Sequence, residues 1–283
     1  MTTLEEKLQQ PPDHLDEFLH NASRALEYLS SSSTLAHRTA EYSLYRVIDG
    51  SQTRLLRPVR SDLYISDPSI FAREASAVSE KLSSLVGSGD TSYAHRIDSV
   101  LYTAAQAHYC VFDARLGDSA ARKSTGVVFA TLLRNVFRAA GVDSRSLSLS
   151  LQTDLDVYHY PIDIVANRNR IETTPTALSE NDSIFSCMTT TKERLAKVFA
   201  DKILLERYFG HPVKLGVIAL HDVQRKGTTD TTWTFLPNVF LLNWAYLAEL
   251  TGIFYLDIPG PARATPFRGK VRPLHELVLN FPS

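Results

Sequence analysis

Two short stretches concentrate the side chains that could do chemistry. The first, residues 160–171 (YPIDIVANRNRI), sets Asp163 among Ile162, Ile164 and Val165. A carboxylate in so apolar a strand is costly unless it is paired, solvated or bound to a metal. Strand side chains alternate, so Asp163 is expected to face away from both Ile162 and Ile164. On local grounds it could instead cap a strand-end turn with Asn167. The second stretch, residues 184–202, passes from a strand-like to a helical pattern at Thr190. Thr190-Thr191-Lys192-Glu193 matches a capping box, with Thr190 as N-cap and Glu193 reaching back. That accounts for Glu193 but leaves Lys192 and Arg194, two cations at the positive end of a helix dipole. They make sense if an anion docks there, either phosphate or the O6 and N7 acceptors of guanine. Asp201 follows Lys197 by four residues, so both project from one helix face, as functional groups or as a surface ion pair of little energetic weight.

An α/β unit must position these groups. Residues 146–151, 157–166 and 183–189 are strand-like. A helix over 191–209 ends at Gly210, with Pro212 behind it; a strand over 214–223, a helix over 237–250 and a strand over 253–258 follow. That alternation of strand and helix signals parallel pairing. Upstream, residues 93–113 and 119–140 read as long helices, the second closed by Gly141 as C-cap. Residues 14–30 carry an amphipathic stripe, residues 34–48 also read as helix, and residues 53–65 as an extended piece. Gly87-Ser88-Gly89-Asp90 has linker composition. The expected organisation is a helical accessory or dimerising region over residues 1–90 and an α/β core over residues 91–283.

Composition excludes some classes. Lys+Arg number 30 against 31 Asp+Glu, for a net charge of −1, so no global basic excess advertises nucleic acid and any such binding must rest on local patches. A hydrophobic share of 44% with 22% charged residues is that of a globular chain. No stretch reaches the roughly 18 uncharged apolar residues of a membrane span, and the N-terminus lacks a secretory pattern. Cys110 and Cys187 are too few for a disulfide framework, so a reducing cytoplasm is expected. The histidines lack metal-ligand spacing, and His221-Asp222, after a strand, reads as a loop cap.

An acid in a strand, a second strand, then TTTKER and a helical acid together resemble the core of the PD-(D/E)XK nucleases. More narrowly, they resemble the type II restriction endonucleases that read CCGG, CCNGG or CCWGG sites, in which the second acid has moved from the strand to the following helix. The position 25 residues after Asp163 is Met188; Lys192-Glu193-Arg194 begins four residues later, and Asp201 stands 13 after Met188. Residues 121–142 resemble the family's first core helix, and the resemblance covers about residues 119–225.

The resemblance implies a restriction-endonuclease-like fold, a mixed central sheet flanked by helices. It implies that Asp163 and Asp201 bind Mg²⁺, that Lys192 and Arg194 donate to guanines, and that Glu193 accepts from cytosine. Arg168 and Arg170 would contact phosphate. It further implies a homodimer on palindromic double-stranded DNA, a cognate DNA methyltransferase acting on the same site, and a prokaryotic cytoplasmic setting. Two positions depart from the family pattern: Met188 stands where the family has lysine, and Ala130 where its first helix has glutamate. Three accounts of Met188 stay open: a lysine function moved to Lys197, an inactivating replacement, or a DNA-binding relative without turnover. A rival from another class is a protein-interaction module in which TTTKER is only a helix cap.

Overall fold

The computed structural model describes residues 3–49, 52–116, 118–192 and 194–281. Helix α1 (Leu4–Gln9) starts from a capping box built by Thr3 and Glu6. Helix α2 (Leu15–Ser32) runs on through the serine run, where Ser31 and Ser32 donate to the Tyr28 carbonyl and Ser33 to that of Leu29.

The chain then forms a small antiparallel sheet: β1 (Ser33–Arg38), β2 (Tyr42–Asp49), β3 (Gln52–Leu55) and β4 (Val59–Arg60), with β2 pairing all three others. The helix expected over residues 34–48 is therefore two strands. Tyr42, Tyr45, Val47 and Ile48 suit a pleated surface, and partner strands on both edges of β2 satisfy its backbone, so tertiary pairing outweighs the helical spacing of Leu35, Ala40, Leu44 and Val47. Helix α3 (Pro68–Leu85) is capped by Asp67, whose side chain accepts from Ser69 N and Ile70 N, with proline at its first position.

Helix α4 (Ala94–Arg115) is buried along nearly its whole length, and α5 (Asp118–Ala139) follows. Gly141 takes φ +76° just past α5, and Val142 N returns to Phe137 O at 2.9 Å, closing the helix where a side chain would be strained. The central sheet contains β5 (Asp143–Gln152), β6 (Val157–Asn167), β7 (Ser183–Met188), β8 (Lys214–Ala219) and β11 (Ile253–Tyr255). Helix α6 (Leu195–Phe209) joins β7 to β8. A hairpin, β9 (Val223–Lys226) and β10 (Asp230–Trp233), then helix α7 (Pro237–Tyr246), join β8 to β11. Strand β12 (Val271–Pro273) and helix α8 (Leu274–Leu279) complete the fold.

Sheet order is β12-β11-β8-β7-β6-β5; β7, β8, β11 and β12 are parallel, and β6 and β5 are antiparallel additions. The alternation over residues 183–258 thus produces the parallel pairing it signals. One apolar cluster joins α2, α3, α4, α5 and α8 to one face of the sheet; Phe18 and Leu26 belong to it together with Leu133 and Phe185. A second cluster holds the face covered by α6 and α7. At Gly216 on β8 a Cβ would stand 2.9 Å from the Phe185 ring, so only glycine allows this approach of strand to core.

Candidate active site

Asp163 sits at a defect in the sheet. Between the pairs Arg145↔Val165 and Leu147↔Ile162, β6 has two residues, Asp163 and Ile164, opposite one residue, Ser146, of β5. This β-bulge breaks the strict alternation expected from the sequence: Ile162 belongs to the cluster under α6 and Ile164 to the cluster under α5, on opposite faces. On its other side β6 stops pairing with β7 at Ile164↔Phe185. Beyond that point Cys187 N donates to Asp163 Oδ2 at 2.8 Å, so a carboxylate does the work of the missing ladder partner. Asp163 does not cap a turn with Asn167, which instead donates to Asp182 at 2.7 Å. Burial raises the Asp163 carboxyl above its ordinary value, against the lowering effects of the Cys187 N–H and of Arg194, Arg134 and Lys197.

A cleft of about 710 Å³ opens over this point. Its walls carry Arg122, Lys123 and Arg134 from α5 and Arg194 from the β7–α6 loop, with Asp163 as the acid among them. Arg134 is fixed: it donates to the Asp163 carbonyl at 3.3 Å and to Thr131 Oγ1 at 2.8 Å. A chain of net charge −1 therefore presents a local cationic concavity suited to a polyanion.

Lys197 and Asp201 lie on the adjoining first turns of α6, ion-paired at 2.6 Å, with the lysine largely exposed and Asp201 only 13% exposed at its side chain. Lys197 Nζ also stands 5.4 Å from the Tyr160 ring centroid. The Tyr160 hydroxyl is pushed above the usual range by burial, then by Asp201 and, more weakly, by the charge of Asp163. Tyr160 and Lys197 thus lie within electrostatic reach of both acids; the lysine was expected there from the sequence, and the tyrosine was not. Among the described residues, no group of three or more His, Cys, Asp or Glu side chains could hold a metal ion.

The loop between β7 and α6 is held in an unforeseen way. Helix α6 begins at Leu195 with Arg194 as its N-cap, and no side chain caps it. Thr190 is therefore not the N-cap of a capping box; Glu193 lies outside the described residues. Thr190 Oγ1 instead donates to Asp222 Oδ1 at 2.6 Å, and Thr191 N donates to the same oxygen at 2.7 Å. Thr191 Oγ1 and Tyr255 Oη both meet Asp222 Oδ2. Asp222 is wholly buried, and the strand-following His-Asp pair of the sequence was the one hint of it.

Lys192 is exposed on this loop, and Arg194 reaches the cleft. Arg168 and Arg170 lie elsewhere: they follow the far end of β6, with Arg168 against Gly87, where a Cβ would stand 3.1 Å from its Nη2. Met188 is buried in the apolar cluster under α6, whereas Cys187 lines the cleft beside Asp163. Ala130 also lines the cleft. Among the described residues no helix is long and apolar enough to cross a membrane.

No family model matches the chain, and no curated protein matches its sequence. Among solved structures it is similar to the type IIP restriction endonuclease Kpn2I, with a TM-score of 0.71 and 19% identity over 98% of this chain and 96% of that one. It is more weakly similar to the restriction endonuclease PspGI in complex with substrate DNA, with a TM-score of 0.44 and 9% identity over 74% of this chain and 89% of that one. A mixed six-stranded sheet flanked by helices, in a chain matched over nearly its whole length to Kpn2I, gives this protein the restriction-endonuclease fold.

Proposed function

We propose that this protein binds double-stranded DNA in the cleft between α5 and the parting strands β6 and β7, and hydrolyses its phosphodiester bonds site-specifically. The carrying observation is the cleft itself, where, among the described residues, Asp163 is the one acid beside Arg122, Lys123, Arg134 and Arg194. The fold shared with a type IIP restriction endonuclease supports the same reading. DNA phosphates lie along Arg122, Lys123 and Arg134, which fix its register without reading sequence. Lys192 and Arg194 donate to guanine O6 and N7, and Glu193 accepts from cytosine N4, on a palindrome containing CC and GG half-sites. Two copies of that triplet face two half-sites, so the active species is a homodimer. A DNA methyltransferase modifying the same site is the partner such an activity requires.

Mg²⁺ is held through one or two carboxylates together with substrate phosphate, and the donor chemistry of Asp163 and Asp201 fits that set without a third acid. Those two residues would hold it; when bound, it polarises the scissile phosphate and lowers the pKa of water. The chain's own part is charge placement. Arg134, bonded to the Asp163 carbonyl, offsets phosphate charge there. Buried Met188 can neither carry charge nor donate, so Lys197, whose ammonium lies between Asp201 and the Tyr160 ring, takes the cationic role.

Incubation with mixed-sequence plasmid and Mg²⁺ tests the reading. Discrete fragments are expected. A gel shift without cutting would leave a DNA-binding protein only, and no shift at all would leave an interaction module.

A further inference from the structure

We infer that Asp222 is a positioning residue for base recognition: its buried carboxylate holds Thr190 and Thr191 in place and thereby sets where Lys192 and Arg194 stand, without itself reaching DNA. This rests on the DNA-recognition reading above and deepens it.

Asp222 follows the carboxyl end of β8, beside the loop that leaves β7. Parallel pairing of those strands continues past their ends, with Leu220 N donating to Met188 O and His221 N to Thr189 O. There the backbone ladder stops and the carboxylate takes over. It accepts from Thr190 Oγ1, from Thr191 N and Oγ1, from Tyr255 Oη at 2.6 Å, and from Thr234 Oγ1 at 3.2 Å. Three elements meet on one side chain: the β7–α6 loop, the tyrosine at the end of β11, and the residue following β10, which is also tied by Thr234 N to Asp222 O at 2.9 Å.

The next link runs through the chain. Thr191 O accepts from both Arg194 N and Leu195 N at 3.1 Å, so the residue held by Asp222 starts the turn into α6. Helix α6 has no side-chain cap of its own. Lys192 and Arg194 are exposed, and Lys192 N donates to Thr190 Oγ1 at 3.4 Å as Arg194 N does to Thr191 O, so both are tied to the threonines. A bidentate contact to a base edge depends on donor placement, whereas a phosphate contact tolerates movement of a long cation. Loosening residues 190–191 should therefore erode discrimination between sequences and leave general DNA affinity nearly intact.

The test uses Asp222→Asn, which keeps size and removes the charge. Binding is measured on synthetic duplexes carrying CCGG or CCAGG and on a control duplex with no CC/GG step, with Ca²⁺ in place of Mg²⁺ to keep strands intact. Trypsin cleavage after Lys192 and Arg194, followed by mass spectrometry, reports the order of the loop itself. The expected result is faster cleavage at those two bonds, a preference for the best duplex over the control reduced by about tenfold or more, and control affinity within about twofold of wild type. Thr191→Val should act in the same direction, and Thr191→Ser, which keeps the hydroxyl, should restore wild-type behaviour; this pair carries the test if Asp222→Asn does not fold. Unchanged cleavage, or a preference that survives a loosened loop, overturns the inference. A wild-type protein with no preference among the duplexes overturns the recognition reading itself, and Asp222's role in it with it.

Discussion

The backbone N–H of Cys187 donates to Asp163 Oδ2 across 2.8 Å just past the last paired residues of β6 and β7. The bond keeps the carboxylate at the cleft while the strands separate, and it leaves the second oxygen for a ligand. Burial and the nearby cations act on this group in opposite senses, and burial wins.

The sign of that balance is measurable. With its pKa raised, Asp163 in the metal-free protein holds its proton to a higher pH than an ordinary aspartate, so its carboxylate becomes available only as pH rises through the raised value. Carbon-13 titration should place its midpoint above 3.8. Arg194→Gln removes a charge that lowers this pKa and should move the midpoint further up. A downward move would show that Arg194 does not act on Asp163.

Lys197→Ala should abolish plasmid cutting while duplex binding stays within about twofold, because the proposed function puts the ammonium at the reacting phosphate rather than in the groove. Its ion pair with Asp201 is largely exposed on the lysine side, so stability should fall by less than about 1 kcal/mol. Cutting at wild-type rate would assign the cationic role to another residue of the cleft.

Lys123→Gln should weaken DNA binding equally for all sequences, since its place on the α5 wall suits a phosphate contact. The slope of log affinity against log salt should shrink by about 0.9 for one lost contact. A change confined to one sequence would place Lys123 against a base instead.

Two buried histidines should each take stability away in mild acid. Burial lowers His108 from 6.5 to about 4 and, with some help from Arg57, lowers His221 to about 4 as well. The unfolded chain takes up these protons near pH 6.5 and the folded chain only near pH 4. Their stabilising effect is therefore full above pH 6.5 and lost as pH falls through that window, at about 3 kcal/mol for each histidine. Burial also raises Asp257 to about 6, which acts in the opposite sense over the same range, so the check is a difference: chemical unfolding across pH 4 to 7 should show His108→Leu losing about 3 kcal/mol less than the wild type.

Much of the scaffold was legible in the sequence because it is local. Apolar spacing identified α4, α5 and the strand–helix alternation of the sheet, and Gly141 marked the end of α5. The strands β1 and β2 were not legible, because Leu35, Ala40, Leu44 and Val47 fit a helical stripe and the partners that favour β pairing lie further along the chain. Asp163, Lys197, Asp201 and Arg194 were visible as chemistry, and the fold brings these four within electrostatic or ion-pair reach; Arg168 and Arg170, five and seven residues past Asp163, are carried to the far end of β6.

The order of side chains alone determined that an acid stands in an apolar strand, that two cations precede a helix, and that Met188 carries no charge. Three matters were decided only by tertiary structure. The bulge opposite Ser146 sends Ile162 and Ile164 to opposite faces, which no single-strand periodicity contains. Met188 is buried under α6 while its neighbour Cys187 lines the cleft, because β7 is covered on both sides. And the threonines of TTTKER serve a carboxylate about thirty residues away rather than a helix cap, because parallel pairing of β7 with β8 delivers Asp222 to them. Propensity and spacing act over a few residues, whereas the partners of a buried polar group are set by whichever strands the sheet places side by side.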